Sequence, residues 1–156
     1  MVQGKALQKA GKFAEAIPYF EQAVDYGEGR FGDGHPKLAK ALEWLTNAHR
    51  QAGNLEKAGP LYKRALEIWQ NTRGPGHPKV GKILNSLGTL YRKQGRCGEA
   101  EKVLKQALAI RHRRKGPEHK NVGQSLHNLA NITAKLAGMR KPRISTPGRW
   151  RSGKRP

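Results

Sequence analysis

The sequence is poor in the materials from which several classes of protein are built. It has one cysteine, Cys97, in 156 residues, so it forms no internal disulfide and carries no cysteine-based zinc motif. No apolar run reaches the about 18 residues of a transmembrane helix. Met1 to Lys12 also lacks the apolar core of a signal peptide. These absences predict a soluble, cytoplasmic protein. Aromatics are 6% of the chain, and Leu, Ile, Val and Phe together number 29. With a formal net charge of +20, so few bulky side chains ordinarily signal disorder. Alanine and a regular repeat argue against disorder here, because small residues let helices pack closely.

Acidic residues are scarce in one half. Residues 1–78 carry 11 Lys and Arg against 8 Asp and Glu, whereas residues 79–156 carry 20 against 3. The positive charge therefore belongs to the second half.

What the chain does have is a 42-residue period. Gly11, Gly53 and Gly95 are 42 apart, as are Gly32, Gly74 and Gly116, and His35, His77 and His119. Ala16, Ala58 and Ala100 keep the step, followed by Ala23, Ala65 and Ala107. Residues 37–78 and 79–120 align without a gap at 14 identities. Such register marks a repeat array.

Within a unit the apolar period is helical: Leu38, Leu42, Leu45 and His49 share one face, as do Val80, Leu84, Leu87, Leu90 and Tyr91 one unit on. A turn at Gly53 or Gly95 ends this helix A. Helix B is predicted from about Leu55 to Arg73, with Ala58, Tyr62, Ala65 and Ile68 inward, and its counterpart carries Ala100, Leu104, Ala107 and Ile110. In the connection Gly74-Pro75-Gly76-His77-Pro78, Gly74 suits a left-handed C-cap, His77 the N-cap, and Pro78 the first helical turn. A lone hairpin cannot bury its own face, and stacking buries it.

These residues carry a family resemblance. Leu84, Leu87, Gly88 and Tyr91 followed by Gly95, Ala100, Leu104 and Ala107 resemble a tetratricopeptide repeat (TPR). The 42-residue period and the strings Gly76-His77-Pro78-Lys79-Val80, Leu84-Asn85-Ser86-Leu87-Gly88-Thr89-Leu90-Tyr91 and Pro60-Leu61-Tyr62-Lys63-Arg64-Ala65-Leu66-Glu67-Ile68 resemble the kinesin-light-chain type. The resemblance implies an all-α, right-handed superhelical stack of helix hairpins, an α-solenoid of about three repeats. Residues 1–36 are a partial first unit, 37–78 the second, 79–120 the third, 121–138 the terminal helix of a fourth, and 139–156 a basic, disordered tail. Gly27 and Gly29 are expected to weaken the end of the first helix B. The fourth helix is expected to expose Leu136 or Ile132, so that the array end self-associates.

The resemblance implies a non-enzymatic protein-interaction scaffold with no cofactor and no metal. No phosphate-binding loop, nucleophile motif or metal-spaced histidine pair occurs. The recurrent histidines follow the recurrent loop and lie too far apart to share an ion. By position, the concave groove draws on Glu43, Asn47 and Arg50, then Lys82, Asn85, Thr89 and Arg92, then Gln124, His127 and Asn131. A carboxylate clamp for acidic chaperone tails fails, because Trp44, Glu43 or Ser86 occupies a position needing a basic or amide side chain. Lys82, Asn85 and Arg92 still favour an acidic peptide.

A second reading is nucleic-acid or other polyanion binding, non-specific in sequence, through Arg111, Arg113, Arg114 and Lys115 and the tail residues Arg140, Lys141, Arg143, Arg149, Trp150 and Arg151. It competes with two plainer readings: cations that stabilise a helix C-terminus, and an inert tail.

Overall fold

Seven helices make up the described part of the molecule: α1 (Val2–Lys9), α2 (Phe13–Phe31), α3 (Pro36–Gln51), α4 (Leu55–Arg73), α5 (Pro78–Lys93), α6 (Cys97–Lys115) and α7 (Lys120–Arg140). The structure is a computed structural model and describes residues 1–140. Odd-numbered helices are the A members of the hairpins and even-numbered ones the B members. Each helix packs on its neighbours in sequence, and α5 also touches α7. This nearest-neighbour pattern defines an all-α repeat solenoid.

The A-to-B turns share one hydrogen-bonded closure. After α3, the Gly53 N–H donates to Arg50 O and the Asn54 N–H to His49 O. The same pair of bonds follows α5 at Gly95 and Arg96, and α1 at Gly11 and Lys12. These are Schellman closures, which need a positive φ at the residue after the cap, and Gly53 supplies it at 87°. The sequence pattern favours a left-handed cap at Gly74, and the structure corrects this. There φ is 89° but ψ is 157°, a mirror-extended conformation open essentially to glycine alone and outside the left-handed helical region.

The histidines cap as expected. Nδ1 of His35, His77 and His119 accepts the N–H of the residue two positions on, at 3.1, 3.2 and 3.1 Å. Pro36 and Pro78 then occupy the first helical turn, where a missing N–H leaves no bond unmade.

The core runs along the stack. Phe20, Leu38, Leu42, Leu90, Leu104 and Ile132 are fully buried, each contributing about 1.5–3 kcal/mol by removal from water. Ala16, Ala58, Ala100, Ala65 and Ala107 have no exposed surface, so alanine sets the close approach of A and B helices. Leu104 fills the notch left by Gly88: a β-carbon there would stand 2.5 Å from Leu104 Cγ. Arg64 on α4 ties the first two units, donating to Glu28 at 2.5 Å and Asp33 at 3.2 Å.

Gly27 and Gly29 both lie within α2, which continues to Phe31, and Gly27 is buried, where a β-carbon would meet Leu38 at an ordinary 3.4 Å. One expectation for α7 is corrected. On α7, Ile132 is fully buried and Leu136 packs partly against the core, whereas Leu126, at 49% exposed, faces solvent with Met139. The helix reaches Arg140.

Candidate interaction groove

Helices α1, α3 and α5 line a cleft of about 540 Å³ bounded by Lys5, Lys40, Glu43, Trp44, Asn47, Arg50, Lys79, Lys82, Ile83 and Ser86, with Tyr62 contributed by α4. The helical period places Lys40, Glu43, Asn47 and Arg50 on one face of α3. The 42-residue step repeats that face on α5.

The carboxylate in this cleft is already engaged. Glu43 Oε1 accepts the Trp69 indole N–H at 2.7 Å, and Oε2 pairs with Lys79 at 3.5 Å. Lys79 also sits 5.8 Å from the Trp69 ring centre. Asn47 Oδ1 accepts from an Arg50 terminal nitrogen at 2.9 Å. The Nε of Arg50, and that of Arg92 one unit on, is buried with no hydrogen-bond partner among the described residues. Lys5 lies over the Trp44 ring at 4.7 Å. The cleft is thus cationic, with an aromatic and amide floor.

The expected groove residues divide. Glu43, Asn47, Arg50 and Lys82 meet in the one cleft. Asn85 is buried and bonded within the fold, its Oδ1 accepting from Ser125 Oγ at 3.3 Å and Asn128 Nδ2 at 3.4 Å. Thr89 Oγ1 donates to the Asn85 carbonyl, a local back-bond that ties it to its own helix. Gln124, His127 and Asn131 are exposed on α7 and do not line the cleft. There Asn131 Nδ2 and His127 Nε2 are 3.1 Å apart. Lys5 and Lys40 lie outside the expected set, although a signal existed: one period separates Lys40 from Lys82 and Lys5 from Asn47.

The basic set divides as well. Arg111 is half-buried and structural, its terminal nitrogen donating to Asn121 O at 2.9 Å and Ser125 Oγ at 3.0 Å. Burial holds its pKa below the usual arginine value. Arg114 Nε donates to Gly76 O at 3.1 Å, and Arg113 and Lys115 are exposed. Arg140 ends α7, while Lys141, Arg143, Arg149, Trp150 and Arg151 lie outside the described residues. Among the described residues no group of three or more metal-ligating side chains converges, and no helix is long and apolar enough to cross a membrane.

Stacked hairpins with a polar cleft lined by the A helices α1, α3 and α5 define a helical-repeat scaffold, the class in which a rigid surface is assembled from successive units. The tetratricopeptide-repeat pattern matches residues 3–58 and 38–113. The chain therefore belongs to the tetratricopeptide repeat family. Its fold is similar to the crystal structure of BtubC (BKLC) from P. vanneervenii, at 25% identity and a TM-score of 0.79, over 87% of this chain and 54% of that one. It is also similar to a putative kinesin light chain with nearly identical TPR-like repeats from Podosopora anserina, at 24% identity and a TM-score of 0.79, over 86% of this chain and 64% of that one. The chain thus spans less than two thirds of either structure. No curated protein matches the sequence.

Proposed function

We propose that the chain is a non-enzymatic protein-interaction scaffold whose concave cleft takes an acidic peptide segment of a partner protein. TPR repeats generally mediate protein–protein interaction, and that supports the coarse reading. One observation carries the finer one: Lys5, Lys40, Lys79, Lys82 and Arg50 line the cleft, and the carboxylate of Glu43 is already occupied by Trp69 and Lys79. A peptide carboxylate entering there meets cations without a competing acid. The stacked hairpins hold these groups at fixed spacing, so most of the ordering cost falls on the peptide.

Exposed pairs of this kind contribute about 0–1 kcal/mol each and are screened by salt, so affinity comes from several acting together. The test is fluorescence anisotropy with length-matched acidic and basic peptide pools. The acidic pool binds more tightly, and Lys5→Glu with Lys40→Glu lowers that affinity by about tenfold with helicity unchanged. Equal binding of both pools, or indifference to the double reversal, overturns the reading.

A further inference from the structure

Trp69 and Thr72 occupy positions on α4 that Arg111 and Arg114 occupy one period later on α6. On α4 the indole is buried, stacks on the capping His77 with ring centres 5.9 Å apart, and donates to Glu43. One unit on, the indole gives way to a guanidinium and Glu43 to the neutral amide of Asn85. The repeat has gained two arginines and lost a carboxylate at the same inter-helix seam.

The product is a cleft of about 380 Å³ between the start of α5, the end of α6 and the start of α7. Its polar walls are His77, Lys79, Lys82, Arg111, Arg114 and Lys115, with Asn121 from α7, and no Asp or Glu lines it. Among the described residues, Lys82, Arg111, Arg114 and Lys115 make no ion pair. Lys79 alone has a carboxylate, Glu43 at 3.5 Å. Arg111 is anchored through one terminal nitrogen to Asn121 O and Ser125 Oγ, and Arg114 through Nε to Gly76 O. Both guanidiniums are held in place by bonds that leave further N–H donors for a ligand.

A half-buried guanidinium with no counter-charge is costly, and an anion seated beside it offsets that cost. The positive field is felt locally: burial first, then Arg114, Arg73 and Lys79, push the His77 imidazole below its ordinary pKa. Planar guanidiniums forking onto a tetrahedral oxyanion, backed by lysines as point charges, form the usual arrangement for phosphate. The volume admits a small group and not a folded domain.

We propose that this cleft is a phosphate-binding site, taking a phosphomonoester or pyrophosphate group between Lys82, Arg111, Arg114 and Lys115. The site shares Lys79 and Lys82 with the groove, but Arg111, Arg114 and Lys115 lie outside the groove, so the proposal does not rest on the peptide reading. Two sources supply this chemistry, a phosphorylated side chain and a small free phosphate compound.

The test is calorimetric titration of the full chain with pyrophosphate near physiological salt, followed by a capped phosphoserine amide. Pyrophosphate binds at one equivalent, and Lys82→Gln with Arg114→Thr weakens it about tenfold. Arg114→Thr restores the residue of the preceding unit, and both side chains are exposed, so the variant keeps its circular dichroism. The charge-matched pair Lys105→Gln with Arg113→Gln, outside the cleft, changes affinity less than about twofold, as screening of remote charges requires. The groove variant Lys5→Glu with Lys40→Glu leaves pyrophosphate binding in place, which separates failure of this site from failure of the groove. Binding of the phosphoserine amide at similar affinity assigns the site to a modified side chain, and binding of pyrophosphate alone assigns it to a free compound. Equal weakening by the two charge-removing pairs, or no binding of either probe, overturns the proposal.

Discussion

Leu104 on α6 occupies the space that a β-carbon on Gly88 of α5 would need, its Cγ 2.5 Å and its Cδ2 2.6 Å from that point. The contact joins the two helices of the third hairpin and is closed on all sides, since Leu104 has no exposed surface. The glycine is there for proximity, against its poor helix propensity.

Gly88→Ala therefore sets two effects against each other. Helix propensity favours alanine by about 1 kcal/mol, while overpacking a close-fitted core costs about 1–3 kcal/mol. The clash involves a branch carbon rather than a flexible tip, so overpacking wins and stability falls. Gly59→Ala is the control, because the added carbon meets Leu90 Cδ2 at an ordinary 3.7 Å. It gains about 0.4–1 kcal/mol. Urea unfolding of the two variants should move in opposite directions.

Acid should weaken the fold through His49. The ring is buried, and Asn54 Nδ2 lies 3.4 Å from its Nδ1. Burial, then Lys57, lower its pKa from 6.5, with Glu21 opposing. A base with a depressed folded pKa binds fewer protons folded than unfolded, so its stability contribution is full above the unfolded value near 6.5 and is lost as pH falls through the folded one. His77 is shifted in the same direction and adds to the trend. Thermal midpoints should drop between pH 7.5 and pH 5. His49→Leu, which installs the residue of the preceding unit, Leu7, should flatten that drop; an unchanged pH profile would show that His49 is not its source.

Cys97 should be a poor thiol reagent. It opens α6, yet it is 4% exposed and belongs to the core cluster. Labelling by a disulfide reagent should be slow in the native protein and fast in denaturant. Equally fast labelling in both states would mean that the start of α6 opens readily.

Much of this molecule was legible in the amino-acid order, and the reason is periodicity. A 42-residue step repeats the same local chemistry three times, so each helix is read against its copies. Helix α4 runs from Leu55 to Arg73, the span that the pattern predicts. The histidine caps, the inward alanines and the glycine turns follow in the same way, because each depends on residues within a few positions of one another.

The groove was less legible. Asn85 has the spacing of a groove residue, but its side chain is spent on Ser125 and Asn128 of the next unit. Arg111 has the appearance of a solvated helix end, but it braces the start of α7. Spacing reports the face of a helix and not what the neighbouring unit places opposite.

The sequence by itself determined the hairpin repeat, its period, its caps and the crowding of positive charge into the later units, since all of these are local or strictly repeating. Only the tertiary structure decided which polar groups are consumed in holding the stack together and which remain to meet a ligand. Those fates depend on distances between residues 10 to 43 positions apart in the chain, as in Arg111 with Asn121 and Asn128 with Asn85, and only packing fixes such distances.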